Sequence, residues 1–93
     1  MEQLKVLFKC LGWVSPKGGK EQLVELEKGS TLRDLLCSRL HEEDLIRMLK
    51  SDGGLSSKVI VLVNGRDSRL FKKLDTELRE DDIITIVPVV HGG

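Results

Sequence analysis

The sequence predicts an α+β domain in which a mixed sheet of four or five strands packs on one main helix. Three observations carry that expectation. LKVLFKC near the start alternates apolar and other residues with period two, TLRDLLCSRL repeats its leucines at helical spacing, and KVIVLV and IITIVPVV are short β-branched runs further on.

In residues 4–10, Leu4, Val6, Phe8 and Cys10 fall on one face and Lys5, Leu7 and Lys9 on the other, the pattern of a half-buried strand. Pro16, Gly18 and Gly19 interrupt it, and QLVELE resumes it with Val24 and Leu26 opposed to Glu25, which predicts a hairpin. In the next segment Leu32, Leu35, Leu36 and Leu40 form one apolar helical stripe, with Ser30 as the expected N-cap and Asp34 near the positive end of the helix dipole. Glu42, Glu43 and Asp44 resemble the acidic first turn of a further helical segment carrying Leu45, Ile46 and Leu49, with Glu43 and Arg47 at ion-pair spacing. The pattern leaves open whether that segment is separate or continuous with the first, and Gly53-Gly54 is expected to end it. KVIVLV reads as a strand covered on both faces, followed by the turn signal Asn64-Gly65. Leu70, Leu74 and Leu78 anchor an irregular link, and Asp82 precedes the last strand. One helix laid across one face of a mixed sheet is the economical assembly of this order. That arrangement is the β-grasp, the architecture of ubiquitin.

All 93 residues are assigned to this single domain, with residues 88–93 as a flexible tail. A chain of this length buries roughly 60 to 65% of its unfolded surface, too little for a catalytic and a cofactor domain together. Fifteen basic and 15 acidic residues cancel, so no overall field draws the protein to nucleic acid or to a membrane surface. Phe8, Trp13 and Phe71 are too few to build a base-stacking platform. No apolar run is long enough to span a bilayer, and MEQLKVLFKC lacks the core of a secretion signal, so a cytoplasmic protein is expected. Cys10 and Cys37 fit that reading as reduced thiols packed in the core.

Chemistry-bearing motifs within the domain are sparse. His41 has no second ligand at a metal-binding spacing, so no metal site is expected. VSPKGGK invites a phosphate-loop reading, but Glu21 follows Lys20 where a Ser or Thr is needed. No dyad or triad lies within the chain, which is therefore not expected to be an enzyme in its own right. Attention falls instead on VPVVHGG, whose paired glycines have no following chain to turn into.

The stretch from VNGRDSRLFKKLDTELREDDIITIVPVV to HGG resembles the C-terminal third of MoaD-type ubiquitin-like sulfur carriers, with their "VNG" turn, "L-D-T-x-L" link and "P-P-V-x-G-G" ending. LKVLFK and GSTLRDLL are similar to that family's first strand and helix. Asp81 stands where the family's turn has glycine, Val89 replaces the second proline, and His91 replaces a small residue. The HGG ending is similar to that of the eukaryotic ubiquitin-related modifier, and archaeal small modifier proteins resemble the chain as well.

The resemblance implies a carrier whose Gly93 carboxylate is adenylated and then converted to a thiocarboxylate. Pro88, Val89, Val90, His91 and Gly92 would thread into the partner, where residues without side chains let the backbone approach closely. Pro88, lacking an N–H, is expected to release the tail from the last strand. Implied partners are a MoeB-like activating enzyme that uses ATP and magnesium, a cysteine desulfurase or rhodanese as sulfur donor, and a MoaE-like large subunit of molybdopterin synthase. The chain itself would bind no cofactor. Docking is expected on the sheet face away from the helix, at Leu7 and Val87 flanked by Lys5, Lys9 and Arg66. Molybdopterin synthesis is the expected destination; the alternative is a protein modifier joined through Gly93 to lysines, with tRNA thiolation and thiazole synthesis also open.

Overall fold

The structure, a computed structural model, describes residues 2–89. Five strands, β1 (Gln3–Cys10), β2 (Glu21–Glu27), β3 (Val59–Val63), β4 (Arg66–Asp67) and β5 (Ile83–Pro88), form one sheet in the order β2-β1-β5-β3-β4. β1 and β5 are parallel, and the other neighbours are antiparallel. Two helices, α1 (Leu32–Arg39) and α2 (Glu42–Met48), and two short 3₁₀ turns, Ser68–Leu70 and Lys73–Asp75, complete the described part of the chain. This is the mixed sheet and main helix that the residue patterns predict.

The period-two pattern of β1 puts Leu4, Val6, Phe8 and Cys10 into the core, where they meet Ile84 and Ile86 of β5 and Leu32, Leu35 and Leu36 of α1. Each fully buried aliphatic or aromatic side chain contributes about 1.5–3 kcal/mol by leaving water. β3 departs from the expectation of a strand covered on both faces. Val59, Val61 and Val63 are buried while Ile60 and Leu62 are only half-buried on the opposite side of the sheet. No helix among the described residues is long and apolar enough to cross a membrane.

The helical region corrects three expectations. Thr31, not Ser30, is the N-cap of α1: its hydroxyl accepts the Asp34 N–H at 3.3 Å, and the Asp34 carboxylate accepts the Thr31 N–H at 2.9 Å. Ser30 is drawn into the link instead, since its carbonyl accepts the Leu78 N–H at 2.9 Å. α2 is a separate helix, because extended backbone at Leu40 and His41 breaks the run, and it ends at Met48 well before Gly53. Arg47 sits over the ring of Trp13, 4.0 Å from its centroid, where the sequence spacing paired it with Glu43.

The turns at the far end of β5 interlock. Asn64 and Gly65 both take positive φ, 53° and 83°, as a tight two-residue hairpin turn requires. The Asn64 amide donates to the Asp82 carboxylate at 2.9 Å and its carbonyl oxygen accepts the Ile83 N–H at 2.8 Å. The other Asp82 oxygen accepts the Arg79 N–H at 2.8 Å. Asp81, in the position of a family glycine, has φ of 67°, a conformation that Asp tolerates better than most residues.

The cap geometry predicts different costs at two adjacent hydroxyls. Thr31→Ala should lower the unfolding free energy by about 1 kcal/mol in urea titrations, and Ser30→Ala by less than half as much.

Candidate functional site

The site expected from sequence is the exit of the tail from β5, and its base is fixed more firmly than expected. Pro88 belongs to β5, opposite Val59, and the Val89 N–H donates to the Lys58 carbonyl at 2.8 Å. Pro88 therefore does not release the chain from the sheet. The Ile86 carbonyl faces β1 and accepts the Leu11 N–H at 3.0 Å, whereas Val89 faces β3. By alternation, the ring nitrogen of Pro88 faces the β1 side, beyond the last β1–β5 pair at Cys10 and Ile86. A missing N–H costs no ladder bond there.

On that side lies Gly12, with φ of +61°, and a Cβ on Gly12 would stand 2.8 Å from Cγ of Pro88. The loop bearing Gly12 is held in turn from the helices. Asp44 accepts the Ser15 N–H at 3.2 Å, the Arg39 carbonyl accepts the Lys17 N–H at 2.8 Å, and Arg47 covers Trp13. Lys20 donates to the Gly12 carbonyl, and the Gln22 amide donates to the carbonyls of Lys17 and Gly19. VSPKGGK is thus a loop whose polar groups are spent on shaping itself. Val90, His91, Gly92 and Gly93, the rest of the expected tail, lie outside the described residues.

The residues expected at the docking patch divide between two faces. Leu7 and Val87 lie on the open face of the sheet, but Val87 is four residues beyond Ile83, the β5 partner of Leu7. Arg66 pairs with Val63, whose side chain points into the core, and so lies on the helix side, in a groove with Phe71 and Glu77. The open face carries apolar residues that the sequence reading passed over. Leu23, 72% exposed, and Ile83, 41% exposed, flank Leu7 in one cross-strand row. Ile60 stands beside Val87, with Leu62 opposite Thr85 between the two rows. Lys5 and Lys9 do frame this face, paired with Glu25 and Glu21 at 3.9 Å each. Period-two reading of KVIVLV would have found Ile60 and Leu62; the continuous apolar run concealed them.

The two cysteines part company. Cys10 is buried, as expected, and burial pushes its thiol up to about 12, with Asp44 adding to the effect and Lys20 opposing it. Cys37 is exposed on α1, not packed in the core. Among the described residues no group of three His, Cys, Asp or Glu side chains is placed to hold a metal ion.

A mixed sheet with parallel terminal strands at its centre and helices on one face defines a ubiquitin-like β-grasp domain. The chain belongs to the ThiS family, which it matches over residues 9–93. It is 45% identical over 58 residues to an Archaeoglobus fulgidus protein with the provisional name sulfur carrier protein. That match covers 62% of this chain and 66% of the relative, so the chain spans just under two thirds of that protein's length. A Caenorhabditis elegans homolog of ubiquitin-related modifier 1 is 35% identical over 80 residues, covering 80% of each chain. The crystal structure of SAMP1 from Haloferax volcanii superposes with a TM-score of 0.70 at 23% identity, covering 96% of this chain and 99% of that one. Family and fold agree with what the VNG-to-HGG resemblance implies.

Three outcomes follow from the geometry. Gly12→Ala should cost roughly 1–3 kcal/mol in denaturant unfolding, through positive φ and overpacking, and should shift the NMR signals of Pro88 and Val89. Iodoacetamide at pH 8 should label Cys37 in the native protein and leave Cys10 unreacted, as peptide mass mapping would show. Because an unfolded Cys10 ionises near its ordinary 9.0 and the folded thiol only at about 12, stability should fall as pH rises between those values.

Proposed function

We propose that the protein is a sulfur carrier that works through its last residues and has no catalytic machinery of its own. The identity to a relative named as a sulfur carrier carries this reading, supported by a family match that runs to Gly93 and by a β5 anchored through Val89. A carboxylate with pKa near 3.5 is an anion at neutral pH and a poor electrophile. A partner enzyme using ATP and magnesium would convert the Gly93 carboxylate to an acyl-adenylate. The persulfide of a desulfurase or rhodanese would displace AMP to give an acyl disulfide, and a second partner thiol would cleave its S–S bond, releasing the thiocarboxylate and leaving a disulfide on the partner. The thiocarboxylate so formed would serve molybdopterin synthesis, docked into a MoaE-like subunit in the cytoplasm.

The anchored base changes the reach of this tail. Counting from Val89, four residues span at most about 14 Å, so the domain itself must press against the activating enzyme. The open sheet face, with Leu7, Leu23, Ile83, Ile60 and Val87, is the surface suited to that contact. Main-chain rigidity at Pro88 then helps orient the terminus, and His91 serves as a spacer.

A second reading is supported by the relative related to a ubiquitin-like modifier. In it the same adenylate is passed to a lysine ε-amine, giving an isopeptide bond through Gly93. The intact mass of the protein isolated from its own cells separates the two. A species heavier by the replacement of one oxygen with one sulfur, and absent when Gly92 and Gly93 are deleted, is the expected result. Free protein without sulfur, together with lysine adducts bearing Gly-Gly remnants, would overturn the carrier reading in favour of the modifier.

A further inference from the structure

Formal neutrality of the whole chain conceals a local imbalance. On the helix side, a groove of about 730 Å³ runs between the loop after α2 and the 3₁₀ link. Arg33, Lys50, Arg69, Lys72 and Lys73 line it against only two carboxylates, Asp52 and Asp75. Several of these charges already have partners. Arg33 pairs with Asp75 and Lys50 with Asp52, each at 3.8 Å, and Arg69 grips Asp67, just outside the groove, at 2.6 Å. Neither Lys72 nor Lys73 is in an ion pair among the described residues. Two adjacent cations outside any ion pair therefore stand in the groove with Arg69 and Arg33, with Asp52 near enough to feel Lys73 as well as Lys50.

The backbone holds them there at a cost. Lys73 has φ of 57°, a left-handed conformation that is unfavourable for a residue with a Cβ. Strained positions of this kind cluster where a ligand is gripped. The opposite wall contains Gly53, Gly54, Ser56 and Ser57, and leads directly to Lys58, whose carbonyl holds Val89. The groove lies on the opposite side of the sheet from the apolar open face. Its size lies within the range of small-molecule sites.

We propose that this groove binds the phosphate group of an anionic ligand. Lysine and arginine donors around a pocket this size suit a compact oxyanion with several acceptor oxygens, which a single carboxylate does not supply. The phosphate can come from a small phosphorylated metabolite or from the backbone of an RNA. The inference is independent of the chemistry at Gly93.

Isotope-labelled full-length protein, titrated with pyrophosphate and separately with a short single-stranded RNA, tests it by amide chemical shifts. Saturable shifts centred on Gly53, Gly54, Ser57, Lys72 and Lys73 are expected for at least one probe. Tighter binding of the RNA with a steep salt dependence identifies a phosphodiester source, and preference for pyrophosphate identifies a small phosphorylated ligand. K72E/K73E should weaken binding roughly tenfold or more, whereas K28E, which reverses a charge at a residue that does not line the groove, should not. Thermal melting verifies that the variants are folded, and K72Q supplies the same comparison with a gentler change. Deleting Gly92 and Gly93 should leave binding intact, so this result stands or falls separately from sulfur transfer. Absence of saturable shifts with both probes, an equal response to a glutamate-rich peptide, or equal losses in K28E and K72E/K73E would overturn the proposal.

Discussion

The parallel pairing of β1 with β5 is the constraint on which the rest of the molecule depends. It joins the first and last strands of the described chain at the middle of the sheet, through Leu7 to Ile83 and on to Cys10 with Ile86. Parallel neighbours cannot be joined by a tight turn, so everything between them must pass over a face of the sheet or extend its edges. β2 takes one edge, β3 and β4 take the other, and the helices cover one side. The same pairing brings the end of β5 level with the loop after β1, and so sets Pro88 against Gly12.

From that arrangement follows a division of labour between the two faces. The covered face receives nearly all the apolar side chains that alternate inward, and its cohesion is what makes the sheet stable. Residues of the open face are held in place by the same strands but have no layer of their own above them. Leu23, Leu7 and Ile83 remain in contact with solvent there as a continuous row, framed by exposed ion pairs that contribute little to stability. A row of this kind favours association, while Lys5, Lys9 and their glutamates limit which surfaces can approach.

The fold was legible because its strands and main helix carry single-period patterns, and because Asn64-Gly65 is a strong turn signal. What escaped the sequence was decided by tertiary competition for backbone groups. Ser30 has the chemistry of a cap, but its carbonyl is taken by Leu78, which moves the cap to Thr31. Arg47 has an i, i+4 partner in Glu43, yet a half-buried Trp13 from a distant loop offers a better surface for the guanidinium. Pro88 lacks an N–H, but a proline ends a strand only where that N–H would have been used. Arg66 was assigned to the open face because nothing in the sequence marks the two-residue strand that turns it toward the helices. The expectation of a tail rests on resemblance alone, while the open face of the sheet required the register of four strands.

The residues that made the family recognisable lie mostly at the opposite end of β5 from the tail. Asn64, in the "VNG" turn, and Asp82, after the position of the family glycine, hold each other by hydrogen bonds and together fix where β5 begins. Their role is therefore in the scaffold: they set the register of the strand that leads to the last residues of the chain. Asp81 can replace glycine there because the turn needs positive φ, not the absence of a side chain, and its N–H still reaches the Lys5 carbonyl at 2.8 Å. A signature built from such residues specifies the platform. The side chains that the platform leaves free lie on the open sheet face and beside the end of β5. These are the regions where this chain can differ from its relatives without disturbing the β1–β5 pair that holds the platform together.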